Sequence, residues 1–298
     1  IGETSGTNLD ENDRGLWGGI LILGYAPCSF SGDVDELQIE GIPADDTFGL
    51  YGGNDANDNS GVIQYVSIRH GGALIGEGNE INGLTLGGVG DGTVINNIEV
   101  VGNVDDGIEF FGGTVNASNL LVWAQGDDGL DIDQAYSGTI SNSVVVLGNS
   151  SDHALEIDGP EGTAPGSFTL ENITLIGNSV TDKGEYADFR KAATGTTRNI
   201  FAFGFKSDSD VELDNNAVAQ EYIDGNLIFD SWEIVLPESV TLNDVFQEKN
   251  GDGESDISSF EQDVASFATG VSLGNETVGA NLGDFNWTYA IQLGSLNY

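Results

Sequence analysis

A short pattern that returns along the chain constrains its fold more than any other feature. Each copy opens with Asn, Asp or His and continues with alternating apolar and polar residues. The clearest copies span 82–87, 106–111, 128–133 and 153–158, and looser ones follow at 186–190 and 211–214. No 3.6-residue helical period lies between the copies. Repeats of this kind are typical of stacked strands, with one copy in each coil of a parallel β-helix.

A second series lies between these copies and opens each time with Asn before a short β-rich run. Its members are Asn97, Asn119, Asn142, Asn172, Asn199 and Asn226. Asn tolerates the left-handed backbone of a tight corner, and stacked amides can hydrogen-bond to one another. The series therefore predicts an Asn ladder along one corner of the solenoid.

Together the two series predict an all-β fold, a parallel β-helix with about 22–30 residues per coil. We expect the solenoid to occupy residues 1–236, with residues 237–298 as a C-terminal cap packed on it in a single structural domain. The cap is rich in aromatic residues, namely Phe246, Phe260, Phe267, Phe285 and Trp287. Such a segment can cover the apolar bore and the strand edges that the last coil would otherwise expose.

Strict alternation also assigns the two faces of the first strand in each coil. Two rows point inward: Ile108, Leu130 and Leu155, and Phe110, Ile132 and Ile157. An outward column then contains Glu109, Asp131, Glu156, Asp188 and Glu212, and a second outward row contains Asp133, Asp158, Arg190 and Asp214. Carboxylates stacked about 4.8 Å apart repel by roughly 1 kcal/mol per pair even in water. Three interpretations stay open: a solvated face, a carbohydrate groove and a calcium site.

The charge balance excludes some classes of partner. The chain has 49 acidic residues against 8 Lys and Arg, a formal net charge of −41. Binding to nucleic acid or to an anionic membrane needs a cationic surface, so we expect neither partner. No apolar run approaches the ~20 residues of a membrane span, and one Cys excludes an intrachain disulfide. Five of the basic residues lie within 183–206. They either pair with nearby carboxylates or form a positive groove end suited to a sugar with carboxylate or sulfate groups.

Four short segments between 103 and 191 resemble the site of the polygalacturonases, the family 28 glycoside hydrolases. They are Asn-Val-Asp-Asp-Gly at 103–107, Gly-Asp-Asp-Gly at 126–129, Asp-His-Ala at 152–154 and Phe-Arg-Lys at 189–191. The resemblance implies that Asp106 and Asp127 activate water, that Asp128 is the general acid and that His153 supports the site. It also implies that Arg190 or Lys191 contacts the substrate. The carbohydrate-groove interpretation of the outward rows adds further substrate contacts, namely Glu109, Asp131, Asp133, Glu156 and Asp158. Three of the four motifs depart from the family pattern: Val104 replaces the expected Thr, His153 lies in Asp-His-Ala instead of Gly-His-Gly, and 189–191 is Phe-Arg-Lys instead of Arg-Ile-Lys.

Two oxygen-rich loops are candidate calcium sites. Asp55 and Asp58 belong to the Asn/Asp-rich stretch 54–58, and Asp252 and Asp256 belong to 250–256, where acidic and small residues alternate as in a calcium loop. The sequence thus allows Ca²⁺ as a cofactor and predicts no organic cofactor.

The chain as a whole resembles secreted bacterial right-handed parallel β-helix proteins of the pectin-lyase-like type. Segments 17–20, 51–61, 80–85, 110–116 and 284–287 carry this resemblance. It implies a secreted or cell-surface protein whose signal peptide has been removed. We expect an extracellular carbohydrate-active protein that binds, and on one hypothesis cleaves, a polysaccharide or cell-surface glycan along the acidic face. The alternative is a non-catalytic adhesion or filament module, with calcium on the stacked carboxylates and self-assembly through the solenoid ends.

Overall fold

The computed structural model describes residues 8–43, 46–73, 81–181, 183–249 and 255–296. In chain order the strands are β1 (Ile20–Leu23), β2 (Leu37–Gln38), β3 (Leu50–Tyr51), β4 (Val62–Arg69), β5 (Leu84–Gly87), β6 (Val94–Val101), β7 (Ile108–Phe111), β8 (Ala117–Trp123), β9 (Leu130–Asp133), β10 (Thr139–Val146), β11 (His153–Asp158), β12 (Phe168–Ile176), β13 (Glu185–Arg190), β14 (Gly195–Phe203), β15 (Val211–Leu213), β16 (Leu227–Ile234), β17 (Phe246–Glu248) and β18 (Ala268–Gly270). The α-helices are α1 (Asn216–Ile223), α2 (Leu242–Val245), α3 (Phe260–Asp263) and α4 (Tyr289–Leu293), and 3₁₀ turns occupy Thr47–Gly49, Val264–Ser266 and Leu282–Phe285.

Successive strands alternate between two parallel sheets, which confirms the β-helix. In the described part of the chain, sheet 1 has the order β1-β5-β7-β9-β11-β13-β15-β17 and sheet 2 the order β4-β6-β8-β10-β12-β14-β16-β18. Each coil therefore contributes one strand to each sheet. The helices are short, and none of those described combines the length and apolarity that crossing a bilayer requires.

The bore is filled by the inward rows that the alternation predicts. Ile108 pairs in register with Leu130, and Leu130 with Leu155; all three side chains are fully buried. A glycine precedes several of these strands because the coils approach closely there. A Cβ on Gly107 would lie 2.6 Å from the carbonyl oxygen of Gly129. The Asp-Gly pairs of the repeat are thus explained by packing between coils.

The Asn ladder lies within the strands of sheet 2, where it bends each strand. Asn97, Asn119, Asn142, Asn172 and Asn199 all have a positive φ, between 47° and 58°. The Asn199 amide donates to Asn172 Oδ1 at 3.0 Å, and Asn142 donates to Asn119. The sixth predicted member, Asn226, is not in the ladder. Register places Ser231 opposite Asn199, with a φ of 57°. Helix α1 lengthens this coil, so the spacing of the other coils does not locate its corner.

The C-terminal residues have two roles rather than one. Strands β17 and β18 extend both sheets past residue 236, so the last turn of the solenoid lies beyond the boundary that the repeat suggested. Phe246, Phe260 and Phe267 pack on Phe229 at the end of the bore. Residues 271–296 instead lie along the outside of sheet 2, where Phe285, Tyr289, Ala290 and Leu296 pack against an apolar stripe of its strands.

The N-terminal region covers part of sheet 1 from outside, which no repeat could show. Residues 24–43 and 46–58, here called the covering segment, include the antiparallel pair β2–β3. Phe30 and Tyr51 of this segment form an apolar cluster with Phe111 of β7. The Tyr51 hydroxyl donates to Gln134 Oε1 at 2.9 Å, and the Ala26 amide donates to the Gly88 carbonyl at 2.7 Å. The covering segment therefore lies over the first coils of the acidic face.

Candidate functional site

One outward carboxylate per coil stands in a column on sheet 1 over five coils. In register the column runs Thr85, Glu109, Asp131, Glu156, Asp188, Glu212. Alternation places these side chains outside the bore, as the sequence indicated. Their access to solvent, however, differs from coil to coil.

The first carboxylates of the column are buried although they point out of the bore. Glu109 and Asp131 are only 6% and 9% exposed. The covering segment packs on Phe111 of the same strand as Glu109, and its Glu40 is close enough to raise the pKa of Glu109. Asp106, at the start of the same coil as Glu109, is also buried, and the three residues present carboxylate oxygens within 4.8 Å of one another. Burial, and then repulsion among these neighbouring carboxylates, raises the pKa of all three groups well above the ordinary range.

The later coils form a partly exposed surface, here called the open face: His153, Glu156, Asp188, Arg190 and Glu212. Its side chains are 13–31% exposed. Arg190 lies at its centre, with Nε 2.7 Å from Asp158 Oδ1 and 3.8 Å from Asp188 Oδ2, and it also pairs with Glu156. The open face thus alternates acidic and basic groups, whereas the buried part of the column is purely acidic.

His153 links the open face to the corner residues that precede the strands. Its Nδ1 lies 2.8 Å from Asp128 Oδ1 and 3.7 Å from Glu156 Oε2. Burial lowers the pKa of His153, but the hydrogen bond and charge of Asp128 outweigh burial and raise the pKa to about 9. The imidazole is therefore a cation at neutral pH and donates to Asp128.

Asp188 and Glu156 lie side by side on β13 and β11 but are in different surroundings. Burial raises the pKa of Asp188 to about 8; His153 opposes this shift, and Glu212 and Asp214 add to it. Glu156 instead contacts both Arg190 and His153, two cations. The open face therefore holds a carboxyl with a raised pKa next to one that is paired with cations, an arrangement of unlike carboxyls that acid–base chemistry uses.

One corner of the solenoid brings together Asp106, Asp128 and His153, but their polar atoms already form hydrogen bonds there. Asp106 Oδ1 accepts a hydrogen bond from the Asp128 amide at 2.9 Å, and Asp128 Oδ1 accepts one from the His153 amide at 2.8 Å. Each carboxylate thus caps the next coil. Burial and the charge of Asp128 raise the pKa of Asp127, which lies beside Asp105 and Asp106.

The cluster of basic residues is used in ion pairs with carboxylates. Lys191 Nζ lies 2.6 Å from Asp158 Oδ2. Burial raises the pKa of Asp133 to about 6, with Lys191 opposing the shift. Lys249, which the sequence did not single out, lies 3.2 Å from Glu212 Oε2 and also pairs with the buried Asp210. No repeat signal could find Lys249, since it follows a long excursion between β15 and β17.

The two predicted calcium loops differ from the places where carboxylates converge. Asp55 is exposed and Oδ1 accepts from the Asn57 amide; Asp58 is buried and Oδ2 accepts from Ser60 Oγ at 2.9 Å. Asp256 is exposed, and Asp252 lies outside the described residues. Among the described residues, groups that could share an ion are Asp128–His153–Glu156, Asp105–Asp106–Asp127, Asp106–Glu109–Asp131 and Asp188–Glu212–Asp214.

A cleft lies beyond the ends of strands β11 and β13 of sheet 1. It has a volume of about 580 Å³ and is lined by residues of three segments, 160–167, 192–196 and 221–228, which include the start of β14, the end of α1 and the start of β16. Its walls combine hydroxyl groups of Thr and Ser with apolar Pro and Ile side chains and one carboxylate, Glu221. This mixture suits an uncharged polar ligand.

Comparison with known proteins gives one finding on the family. The chain matches the family model described as a pectate-lyase-like beta helix domain over residues 4–289. No curated protein and no solved structure gives a significant match.

Proposed function

The chain belongs to the pectate-lyase-like β-helix domain family, and on that premise we propose that it binds a neutral polysaccharide outside the cell, along the open face. Membership in this family supports a carbohydrate-related function. The residues of this chain, and not its fold, support the choice of the binding face, the charge of the ligand and the chemistry.

The observation that carries the proposal is the spacing of polar groups on the open face. Glu156, Asp188 and Glu212 lie on consecutive strands at equivalent positions, so they repeat at about 4.8 Å. This distance is close to the length of one pyranose unit in an extended glycan. A chain laid across the strands would present one sugar to each coil, and its hydroxyl groups would donate to a carboxylate in each.

The charge balance favours a neutral glycan over an anionic one. The net charge of −41 repels polyanions. The basic side chains nearest the open face, Arg190, Lys191 and Lys249, already pair with carboxylates. Binding a uronate or a sulfate would require breaking these pairs, whereas hydroxyl groups can bind to pairs that stay intact.

A second candidate function, cleavage of the bound glycan, is favoured by the unlike surroundings of two carboxyls. Asp188, whose pKa is raised by burial, could donate a proton to a leaving oxygen, and Glu156, which pairs with Arg190, could activate water or attack directly. The set Asp106, Asp127, Asp128 and His153 supports this reaction less well, because two of its carboxylates cap backbone amides.

The C-terminal end of the solenoid gives less support to the alternative function, a non-catalytic filament module. Phe246, Phe260 and Phe267 cover the bore there, so this end offers little apolar surface for another copy. We propose secretion or surface attachment as the setting, in line with the resemblance to exported β-helix proteins.

The test is affinity electrophoresis on a panel of neutral and anionic polysaccharides, with Glu212→Gln as the variant of the open face. We expect retardation of the wild type by at least one neutral polymer and a loss of affinity of about 10-fold or more in the variant, the size of one charged hydrogen bond. Glu171→Gln is the matched control, since Glu171 pairs with Arg198 on sheet 2, away from the open face.

Two results would count against binding at the open face: no retardation by any neutral polymer, or equal losses in Glu212→Gln and Glu171→Gln. Cleavage is followed in parallel as release of reducing ends. If the second candidate function holds, Asp188→Asn abolishes that release while the variant still binds.

A further inference from the structure

The buried part of the acidic column has a property that polysaccharide binding does not explain. Asp106, Glu109 and Asp131, here called the buried triad, present carboxylate oxygens within 4.8 Å of one another beneath the covering segment. They are 6–9% exposed, so a glycan on the surface cannot reach them. Three carboxyl groups packed in this way either hold protons, the direction in which their raised pKa values point, or share a partner that is small enough to be buried with them.

The protein supplies no basic partner for the triad. All eight Lys and Arg residues of the chain lie in the described part. The ion pairs there join basic side chains to carboxylates away from the triad, and none reaches it; these side chains are Lys183, Arg190, Lys191, Arg198, Lys206 and Lys249. The charged groups that raise the pKa values of the triad from outside are other acids: Asp105, Asp128, Asp133 and Glu40.

Two buried oxygen atoms at the triad have no hydrogen-bond partner among the residues that the structure describes. One is Oδ1 of Asp131, and the other is Oδ1 of Asn82, a side chain that is 1% exposed. The Asn82 amide lies at the triad, since its Nδ2 contacts Glu109 Oε2. A rotation of the amide by half a turn exchanges its nitrogen and oxygen and would turn Oδ1 toward the carboxylates. A buried acceptor without a donor costs about 1–3 kcal/mol, so two of them at one place indicate a missing ligand.

We propose that the buried triad, together with Asn82, binds one calcium ion beneath the covering segment. All four donors are oxygen atoms, and three are carboxylates, which is the ligand set of a hard divalent cation. Thiolate and imidazole ligands, which would favour zinc, are not part of this group. Calcium is favoured over magnesium because it accepts irregular protein ligand sets, while magnesium keeps several of its waters and needs near-ideal octahedral geometry.

The role of this ion is structural and separate from the open face. Its ligands come from three successive coils, and the covering segment closes over it. Binding would offset the mutual repulsion of the triad and hold the covering segment against β7 and β9. The ion would therefore stabilise the folded chain by mass action, since an unfolded chain offers no such site.

The test is thermal unfolding of the full chain after EDTA treatment and dialysis, with calcium chloride or magnesium chloride added at constant ionic strength. At a calcium concentration of about 100 times Kd we expect Tm to rise by about 5 °C, with a smaller rise in magnesium. After gel filtration, elemental analysis should find one calcium per chain.

The variant Asp131→Asn tests the position of the ion. In EDTA its Tm should equal or exceed that of the wild type, because one repelling charge is gone, and this also shows that it folds. It should lose the calcium-dependent rise. The matched control is Asp214→Asn, because Asp214 belongs to a different acidic group, with Asp188 and Glu212. This variant should keep the calcium-dependent rise in Tm.

A wild type without a calcium-dependent rise would overturn the proposal. So would an Asp131→Asn variant that keeps the rise, or loss of the rise in Asp214→Asn alone. Should Asp131→Asn fail to fold, Glu109→Gln replaces it with the same expectations. None of these results depends on glycan binding, so failure here and failure of the proposed function are distinguishable.

Discussion

Carboxylates at equivalent positions of the repeat acquire different chemistry from their neighbours in space. Asp131 has only acids beside it, Glu156 has Arg190 and His153, and Asp188 lies between Arg190 on one side and Glu212 and Asp214 on the other. The alternation of the sequence predicts the column because its period is two. It cannot predict these differences, since the basic side chains reach across coils and approach some members of the column only.

At the residue scale, Asp188→Asn should change the pH dependence of stability. The pKa of Asp188 in the folded state is about 8, above its ordinary value of 3.8. A carboxyl whose pKa is higher in the folded than in the unfolded state makes the folded protein less stable as the pH increases from the unfolded pKa to the folded pKa. The wild type should therefore lose stability between pH about 4 and about 8 relative to the variant. By pH 8 we expect the variant to melt about 2–4 °C higher, on the order of 1 kcal/mol.

The measurement is a set of thermal melts at pH 4, 6 and 8 in EDTA. Asp91→Asn is the control, because Asp91 is exposed and its carboxylate faces solvent. A difference between Asp188→Asn and wild type that does not change over this range would show that Asp188 is not held in its protonated form.

The elements of sheet 2 depend on a bend that one residue type makes possible. In β10, β12 and β14 the bend is at Asn142, Asn172 and Asn199, with amides stacked from coil to coil. The sequence predicted the ladder wherever the coil length is regular. It wrongly placed the last member of the ladder at Asn226. Helix α1 changes the spacing before this coil, and Ser231 occupies the left-handed position instead.

At the scale of the element, Asn172→Ala should destabilise the protein by about 2 kcal/mol. Half of this loss comes from a side chain in the left-handed region, and half from the lost amide hydrogen bond. Asn172→Gly should lose only about half as much, because glycine adopts a φ of 58° without strain. Chemical denaturation of both variants measures the difference.

Asn226→Ala is the control for the ladder. Asn226 is exposed and donates to Glu221, before β16 begins. Its loss should change stability by less than about 0.5 kcal/mol. If Asn172→Gly and Asn172→Ala were equally unstable, the left-handed backbone would not be what selects Asn at this corner.

At the scale of the molecule, the covering segment determines which acids are surface and which are interior. It packs over the buried triad and leaves the open face of the later coils accessible to solvent. The fold, the inward rows and the column could all be predicted, because each follows from a period in the sequence. The burial of Glu109 and Asp131 could not, since the covering segment has no repeat and its partners are distant in the chain. Phe285 likewise packs along sheet 2 rather than at the bore end, a choice that composition leaves open.

This division implies that the two parts compensate their charge by different means, with protein cations on the open face and a bound ion at the buried triad. The net charge of −41 requires counterions, and the geometry of the buried triad favours a bound cation there. The most direct measurement is an anomalous difference map from crystals grown in calcium. We expect a peak between Asp106, Glu109 and Asp131, with the covering segment above it, and no comparable peak among Asp188, Glu212 and Asp214. A map without a peak at the triad, or with its main peak on the open face, would contradict this expectation.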